Sequence, residues 1–350
     1  MRKVRSALIL MMICLLLLPG CFAENERTVL PQVYEGIQNY CQNGRYGYIT
    51  QEGSILTEPI WDAPKPFIDG HACVSLDEQW GYVDHSGNFY TEAAWIYAND
   101  FSDGLAIVET EDKWICIDDN YQHVFSFDDC EYSYESDFEK GYLLIKKDGG
   151  GSAGQEGRYG IVNREGKITV QCELSECYFG EGVVVFEKDG FYGVMDGTGN
   201  VLVPAEYEEC GERPRDEVIL LCNGDTFYGF SLEGNQLFTL EHVFVYPFSD
   251  GMAAVMTLEP EICEYFIDGN GKRISTDEET YGLGEFSEGL AEVYFCDGTK
   301  GYVDQQGQTV IKGNYEKTSA FSGGVALVRI QGSEFYISHN GSIVYRYTDE

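Results

Sequence analysis

Hydrophobic positions along the chain fall in short alternating runs, separated by turns that end in glycine. No long segment keeps the 3.6-residue period of an amphipathic helix. The stretch FSEGLAEVYFCDGTKGYVDQQGQTVI, from Phe286 to Ile311, shows the grammar. Phe286-Ser-Glu-Gly289 predicts a tight turn, because glycine takes positive φ at no steric cost and swings the chain into a strand at Leu290 to Val293. A second strand is expected at Lys300 to Asp304, where period-2 alternation puts Tyr302 on one face and Gly301 with Val303 on the other. Asp304-Gln-Gln-Gly307 then predicts a hairpin. The aspartate bonds backbone two residues on, and the glycine takes the left-handed bulge position after a type I turn. Thr309 to Ile311 returns as a third strand.

The same unit recurs. Its opening turn is written FIDG from Phe67, FSDG from Phe101, FEKG from Phe138, FGEG from Phe179, FSDG from Phe248 and FSGG from Phe321, with VYEG from Val33 as a weaker first copy. The hairpin strand recurs as YGYIT from Tyr46, WGYVD from Trp80, WICID from Trp114, YGIVN from Tyr159, YGVMD from Tyr192, YGFS from Tyr228, YFID from Tyr265 and FYIS from Phe335. Spacing keeps the register: Gly36 to Gly70 is 70 − 36 = 34 residues, and Gly289 to Gly324 is 324 − 289 = 35. A fixed period of this size signals a repeat array. One long interval, Gly141 to Gly182, holds the Gly-rich insertion at residues 148–157, expected as a flexible surface loop. The fold class expected is all-β, a tandem array of about nine three-stranded units occupying residues 33–350. A three-stranded sheet cannot bury both faces alone, so neighbours must stack, as an open superhelix or as a propeller-like ring.

Residues 1–20 change the picture of where this array works. Arg2, Lys3 and Arg5 precede an apolar run from Ala7 to Leu18 that is too short to span a bilayer, followed by Pro19-Gly20-Cys21. The segment reads as an export signal, and its end resembles a bacterial lipobox with Cys21 as the lipidated residue. Residues 21–32 would be a tether, and the expected address is the outer side of the bacterial cytoplasmic membrane, or the outer membrane. The membrane contact would be through lipid alone. A formal charge of −36 repels nucleic-acid phosphates and anionic head groups, which makes both poor partners, while cations or basic segments would be attracted. With 25 Tyr, 20 Phe and 41 Gly, the chain has aromatics for half-buried strands and glycines for turns. Cys73, Cys116, Cys222 and Cys296 fall in or beside strand slots that other units fill with apolar residues, and so read as small buried side chains.

The unit resembles the WG (KWG) β-repeat of bacterial exported proteins. Trp80-Gly81-Tyr82-Val83-Asp84 and Phe101-Ser-Asp-Gly104-Leu105-Ala106 match best, and recognisable units run from Val33 to Tyr347. Departures are Ile115 after Trp114, Glu217 where the strand-opening glycine is expected, and Phe266 after Tyr265; distortion is expected in those units. The resemblance implies a structural module that carries little chemistry of its own.

A search for chemistry returns no catalytic, cofactor or metal residues. His71, His85, His123, His242 and His339 are spread over different units and different slots, and no C-x-x-C pair, P-loop, GxSxG or HExxH occurs. One series stands out. An aromatic precedes the opening Phe by six residues at Trp61, Trp95, Tyr132 and Tyr315, with His242 at that place in another unit and Tyr207 near the corresponding place in the unit that lacks the Phe. Trp61, Trp95 and Tyr207 are therefore either a ligand-contacting ladder or core rings under their own turns. The expected function is a non-enzymatic binding or scaffold module for an envelope protein or glycan. The alternatives are an envelope glycan hydrolase or lyase with carboxylates in a repeat-lined pocket, or an accessory subunit of an envelope complex.

Overall fold

The computed structural model describes residues 35–50, 53–90, 95–127, 137–147, 158–211, 213–258 and 263–346. The lipidation residue Cys21, the signal and tether, Tyr132 and the insertion at 148–157 lie outside them. Within them there are nine antiparallel sheets of successive chain segments and no helix. Three sheets have three strands and six have four, because a short strand ahead of the opening turn joins the sheet that the turn begins. Numbered by their opening turns, units 1 to 9 begin at Gly36, Phe67, Phe101, Phe138, Phe179, Pro214, Phe248, Phe286 and Phe321.

The opening turn is a two-residue hairpin loop. In unit 3, Ser102 and Leu105 exchange both backbone bonds, at 2.9 and 3.0 Å, around Asp103 (φ 55°) and Gly104 (φ 68°). Positive φ at both central residues is the turn whose twist matches the flanking strands, and Asp-Gly is the pair that tolerates it best. The second turn takes the expected bulge form. Gly307 N–H donates to the Asp304 carbonyl at 2.9 Å, Gly307 has φ 77°, and Gln306 and Gln308 N–H both donate to Asp304 Oδ1 at 2.9 Å. Because the first strand starts at one turn and the second strand ends at the other, both turns lie at the same end of every sheet.

Each residue of the F-S-D-G signature has a separate task in joining units. The Phe is buried in every unit that carries it. The Ser hydroxyl donates to the carbonyl of the next unit's Phe: Ser102 to Phe138, Ser249 to Phe286 and Ser287 to Phe321, at 2.6 to 2.7 Å. The acidic residue accepts the N–H of the next unit's turn glycine, as Glu35 does from Gly70, Asp103 from Gly141, Asp216 from Gly251, Asp250 from Gly289 and Glu288 from Gly324. In FEKG the lysine occupies the acidic place, and Glu139, one residue earlier, takes over by accepting from Glu181 N–H. A further clamp comes from the Tyr of W-G-Y. Tyr48, Tyr82 and Tyr302 each donate their hydroxyl to a carbonyl two residues ahead of the next unit's Phe, namely Lys65, Asn99 and Ser319.

Packing follows the same rule. Eight buried clusters are found among the described residues, and each is shared by two consecutive units, so the core is a series of junctions. Between units 8 and 9, for example, Leu290, Tyr302 and Ile311 pack on Phe321, Ala326 and Val328. The glycine of W-G exists because the third strand's backbone lies against it. A methyl group on Gly47, Gly81, Gly160 or Gly193 would sit 2.5 to 2.7 Å from a carbonyl oxygen of that strand, Thr57, Tyr90, Val170 and Val203 respectively. At Gly47, Gly160 and Gly193 the ladder skips the glycine and the third strand bulges over it.

Four expectations need correction. Unit 6 keeps its opening turn although neither Phe nor Gly is present: Arg215 and Val218 exchange backbone bonds around Asp216 (φ 52°) and Glu217 (φ 63°). Ile115 is accommodated with the third strand paired directly opposite it, Ile115 with Ser126, and the register shift of this unit falls further on, between Cys116 and Ile117. Cys73, Cys116 and Cys222 are buried, but Cys296 is exposed, since it follows the strand Leu290–Phe295 and enters the turn. Finally, His85 and His339 share one slot, directly after the hairpin turn residue. His85 lies tilted against its own unit's Phe67 and His339 stacks on Phe321, and they approach the preceding unit's Glu35 and Glu288, at 2.8 and 3.1 Å.

Candidate binding surface

Trp61 and Trp95 are 2% exposed and do not form a ladder open to a ligand. The third strand hands the chain to the next unit at this point, so the ring turns inward into the junction. Trp61 Nε1 donates to Thr57 Oγ1 at 3.2 Å, and Trp95 lies edge-on to Tyr82 with ring centroids 5.7 Å apart. Tyr207 is half-buried against Tyr228 and Phe230, at 5.2 and 5.6 Å. The reading of these rings as core is the correct one for both tryptophans.

The rings that remain half-exposed come from a different slot, the W of W-G, together with a residue of the strand that precedes the next opening turn. Trp80 and Tyr97 have centroids 5.2 Å apart, and Tyr97 and Trp114 are 6.2 Å apart, edge to face. Tyr97 and Trp114 flank Glu109 on the strand between them. This series was not legible as a site, because tryptophan at this slot is also what the repeat pattern demands.

Lys65 reaches into the first ring pair from unit 2. Its Nζ lies 5.7 Å from the Trp80 centroid and 5.5 Å from that of Tyr97, 3.5 Å from Asp100 Oδ1 and 3.5 Å from the Ala98 carbonyl oxygen. Burial alone would lower this lysine, but the surrounding Cys73, Asp100 and Tyr97 groups outweigh it and hold the ammonium above its ordinary value. Rings, a carboxylate and a carbonyl around one ammonium form a cation site that the chain fills itself. Nearby Asp137, although its side chain meets solvent, is raised by desolvation, with Asp100 adding to the effect and Lys65 opposing it. Among the described residues no group of three or more His, Cys, Asp and Glu side chains is arranged to hold a metal ion.

These features define an all-β repeat protein joined unit to unit. The profile of the WG containing repeat matches residues 46–80, 80–114, 159–190, 192–218 and 301–332. Those five segments match the WG containing repeat, and each includes a W-slot followed by glycine, at Gly47, Gly81, Gly160, Gly193 and Gly301; Tyr228-Gly229 of unit 6 lies outside the matched segments. No curated protein is significantly similar in sequence. Among solved structures, the chain is similar in fold to a eukaryotic initiation factor, at 12% identity and a TM-score of 0.50, over 90% of this chain and 96% of that one. BamB from Moraxella catarrhalis (14% identity, 89% and 94% coverage, TM-score 0.34) and Hsv2 from Kluyvelomyces marxianus (11%, 67% and 88%, 0.35) are more distant in shape.

Proposed function

We propose that the protein is a non-enzymatic binding or scaffold module, anchored through lipid on Cys21 at a bacterial envelope membrane, that contacts an envelope protein or glycan. The observation that supports this reading is the half-exposed series Trp80, Tyr97 and Trp114 with Lys65, Asp100 and Glu109 beside it. Elsewhere the motif residues are engaged in joining units, and aromatic rings are what interface centres favour, with polar groups at the rim. The series crosses from unit 2 to unit 3, so a ligand there would read the register of the array as well as its side chains.

The test is retention of envelope components by immobilised protein, with photo-crosslinking from position 97. Trp80→Ala combined with Trp114→Ala should abolish the crosslinked species while the far-ultraviolet spectrum is unchanged. Retention unaffected by the pair would place the contact elsewhere. Turnover of an envelope glycan by the purified chain, lost on replacing one carboxylate, would overturn the non-enzymatic reading.

A further inference from the structure

Each unit turns one face of its sheet to the unit after it, and the repeat fixes which slots line that face. In unit 8 they are filled by Leu290, Tyr302 and Ile311, with Tyr302 and Ile311 paired across two strands, and all three are buried under unit 9. The same slots in unit 9 hold Val325, Tyr336 and Tyr345, with Leu327 between them on the first strand. Leu327 pairs with Tyr336 and Tyr336 with Tyr345, so the three side chains form one row across the sheet, and the two tyrosine rings are 6.3 Å apart. None of these four residues is buried, and Tyr345 is 49% exposed where Ile311 is 5%. Each buried cluster among the described residues joins consecutive units, and none covers this face.

Gly323 stands in the acidic place of the unit 9 opening turn, so the carboxylate that would hold the turn glycine of another unit of this kind is missing. The clamp is kept. Tyr336 occupies the slot from which Tyr48, Tyr82 and Tyr302 reach the next unit's carbonyl, and its hydroxyl has no hydrogen-bond partner among the described residues. Unit 1 shows how a finished outer face is built. It places Gln38 and Tyr40 in the slots where units 2, 8 and 9 bury Ala72 and Val74, Ala291 and Val293, and Ala326 and Val328. Tyr40 lies over Gly47 and donates its hydroxyl to the Thr57 carbonyl at 3.3 Å, which gives that end of the array the polar cap a terminal repeat needs. The open face of unit 9 is apolar and aromatic instead.

We propose that the row Leu327, Tyr336 and Tyr345 is a self-association surface, on which a second copy of this chain docks through the same face, unit 9 against unit 9. The contact continues an interface the molecule already uses, since this side of the sheet is closed by a neighbour in each of the eight junctions. Charge permits it here. Two copies of formal charge −36 repel, but the span from Phe321 to Arg346 contains two arginines, one histidine and a single glutamate, so the repulsion is least at this unit. Gln38 and Tyr40 give unit 1 no apolar match for the row, which disfavours a head-to-tail chain. The two-fold arrangement, in which each face meets itself, closes at a dimer. Its centre would be two tyrosines from each copy, the residue type in which interface centres are enriched. The surface lies on unit 9, apart from the Trp80 series of units 2 and 3, and does not depend on the envelope-binding reading.

The test is photo-crosslinking of the full chain in the expressing cells from a photo-reactive phenylalanine at position 345, with the joined peptides identified by mass spectrometry. A species of twice the chain's mass, joined between two copies of residues 321–346, is expected, and Leu327→Glu should remove it. Sedimentation of the purified chain gives the strength. Tyr345→Glu, at an exposed position, should weaken the dimer about tenfold or more, the loss typical of a central aromatic anchor. Tyr281→Glu, at a tyrosine 61% exposed on unit 8, should leave it unchanged. Far-ultraviolet spectra show whether each variant folds, and Tyr345→Glu decides the matter if Leu327→Glu does not. A crosslink from position 345 to unit 1 of the same chain would mean that the face is covered internally and overturn the proposal, as would a crosslink to lipid or to another protein. A chain that stays monomeric up to about 100 μM, weaker than specific interfaces of standard size, would do the same, and so would equal losses in Tyr345→Glu and Tyr281→Glu. Envelope retention through Trp80 and Trp114 is read separately and is untouched by any of these outcomes.

Discussion

Glu217 is the residue at which backbone conformation and side-chain identity disagree. It holds φ 63° in the place that glycine fills in the other opening turns, with Asp216 before it at φ 52°. A non-glycine residue with a β-carbon pays for the left-handed region, so Glu217→Gly should raise stability by about 0.5 to 1 kcal/mol, measured by urea denaturation. Its backbone N–H donates to the Glu181 carboxylate, and that bond survives the change. Gly193 makes the opposite case. Its φ is ordinary, yet a β-carbon would lie 2.7 Å from both the Val203 carbonyl oxygen and the Ala205 nitrogen. Gly193→Ala should therefore cost about 2 to 4 kcal/mol, the range for strain or overpacking in a tight site. Gly190→Ala, at φ 85° with no atom within 4 Å, should cost about 1 kcal/mol. A smaller loss at Gly193 than at Gly190 would show that the third strand can retreat. The sequence announced Gly193 through its aromatic neighbour, but Glu217 could be placed only once the turn was seen to survive without its signature.

At the scale of the element, one turn is held by three bonds to the next unit, and each can be removed separately. Tyr82→Phe deletes the hydroxyl that donates to the Asn99 carbonyl at 2.6 Å and leaves the ring in place. The expected loss is about 1 to 2 kcal/mol, since a part-buried carbonyl is left without its partner. Ser249→Ala should cost a similar amount at the junction of units 7 and 8. The hairpin turns add a pH dependence. Asp196 is raised by desolvation, but the Thr198 hydroxyl, the Asn200 amide and two backbone N–H groups outweigh this and hold it below its ordinary 3.8. A depressed carboxylate contributes stability that is complete above its unfolded titration and is lost as pH falls through the folded one. The gap in stability between wild type and Asp196→Asn should therefore be constant near neutral pH and narrow below about pH 4; because the group is largely exposed, the gap itself is small. The hairpin and its aspartate were readable in the sequence. The inter-unit bonds were not, because donor and acceptor are separated by a full repeat and nothing local marks them.

For the whole molecule, stability is a sum over junctions, because every buried cluster among the described residues is shared by two neighbours. A destabilising change such as Gly193→Ala should raise amide exchange chiefly in units 5 and 6 and leave units 1 and 9 near wild type, as nearest-neighbour arrays do. Uniform loss of protection would contradict the junction picture. Export and lipidation are proposals at this same scale: Cys21→Ser should release the protein from membranes or block its maturation, and normal processing with unchanged membrane retention would refute the anchor.

Sequence alone determined the repeat, its register, the type of the hairpin turn and the all-β class, because each is a local matter of φ preference and period-2 alternation; the form of the opening turn came from the structure. It could not decide which aromatic rings face solvent. Trp61 and Trp95 looked like an exposed edge in one dimension, and become core because the crossing between units turns them into a junction. Trp80, Tyr97 and Trp114 look like motif and packing, yet stay only partly buried. Burial at a stacked interface depends on both partners, and a chain written one unit at a time specifies only half of each.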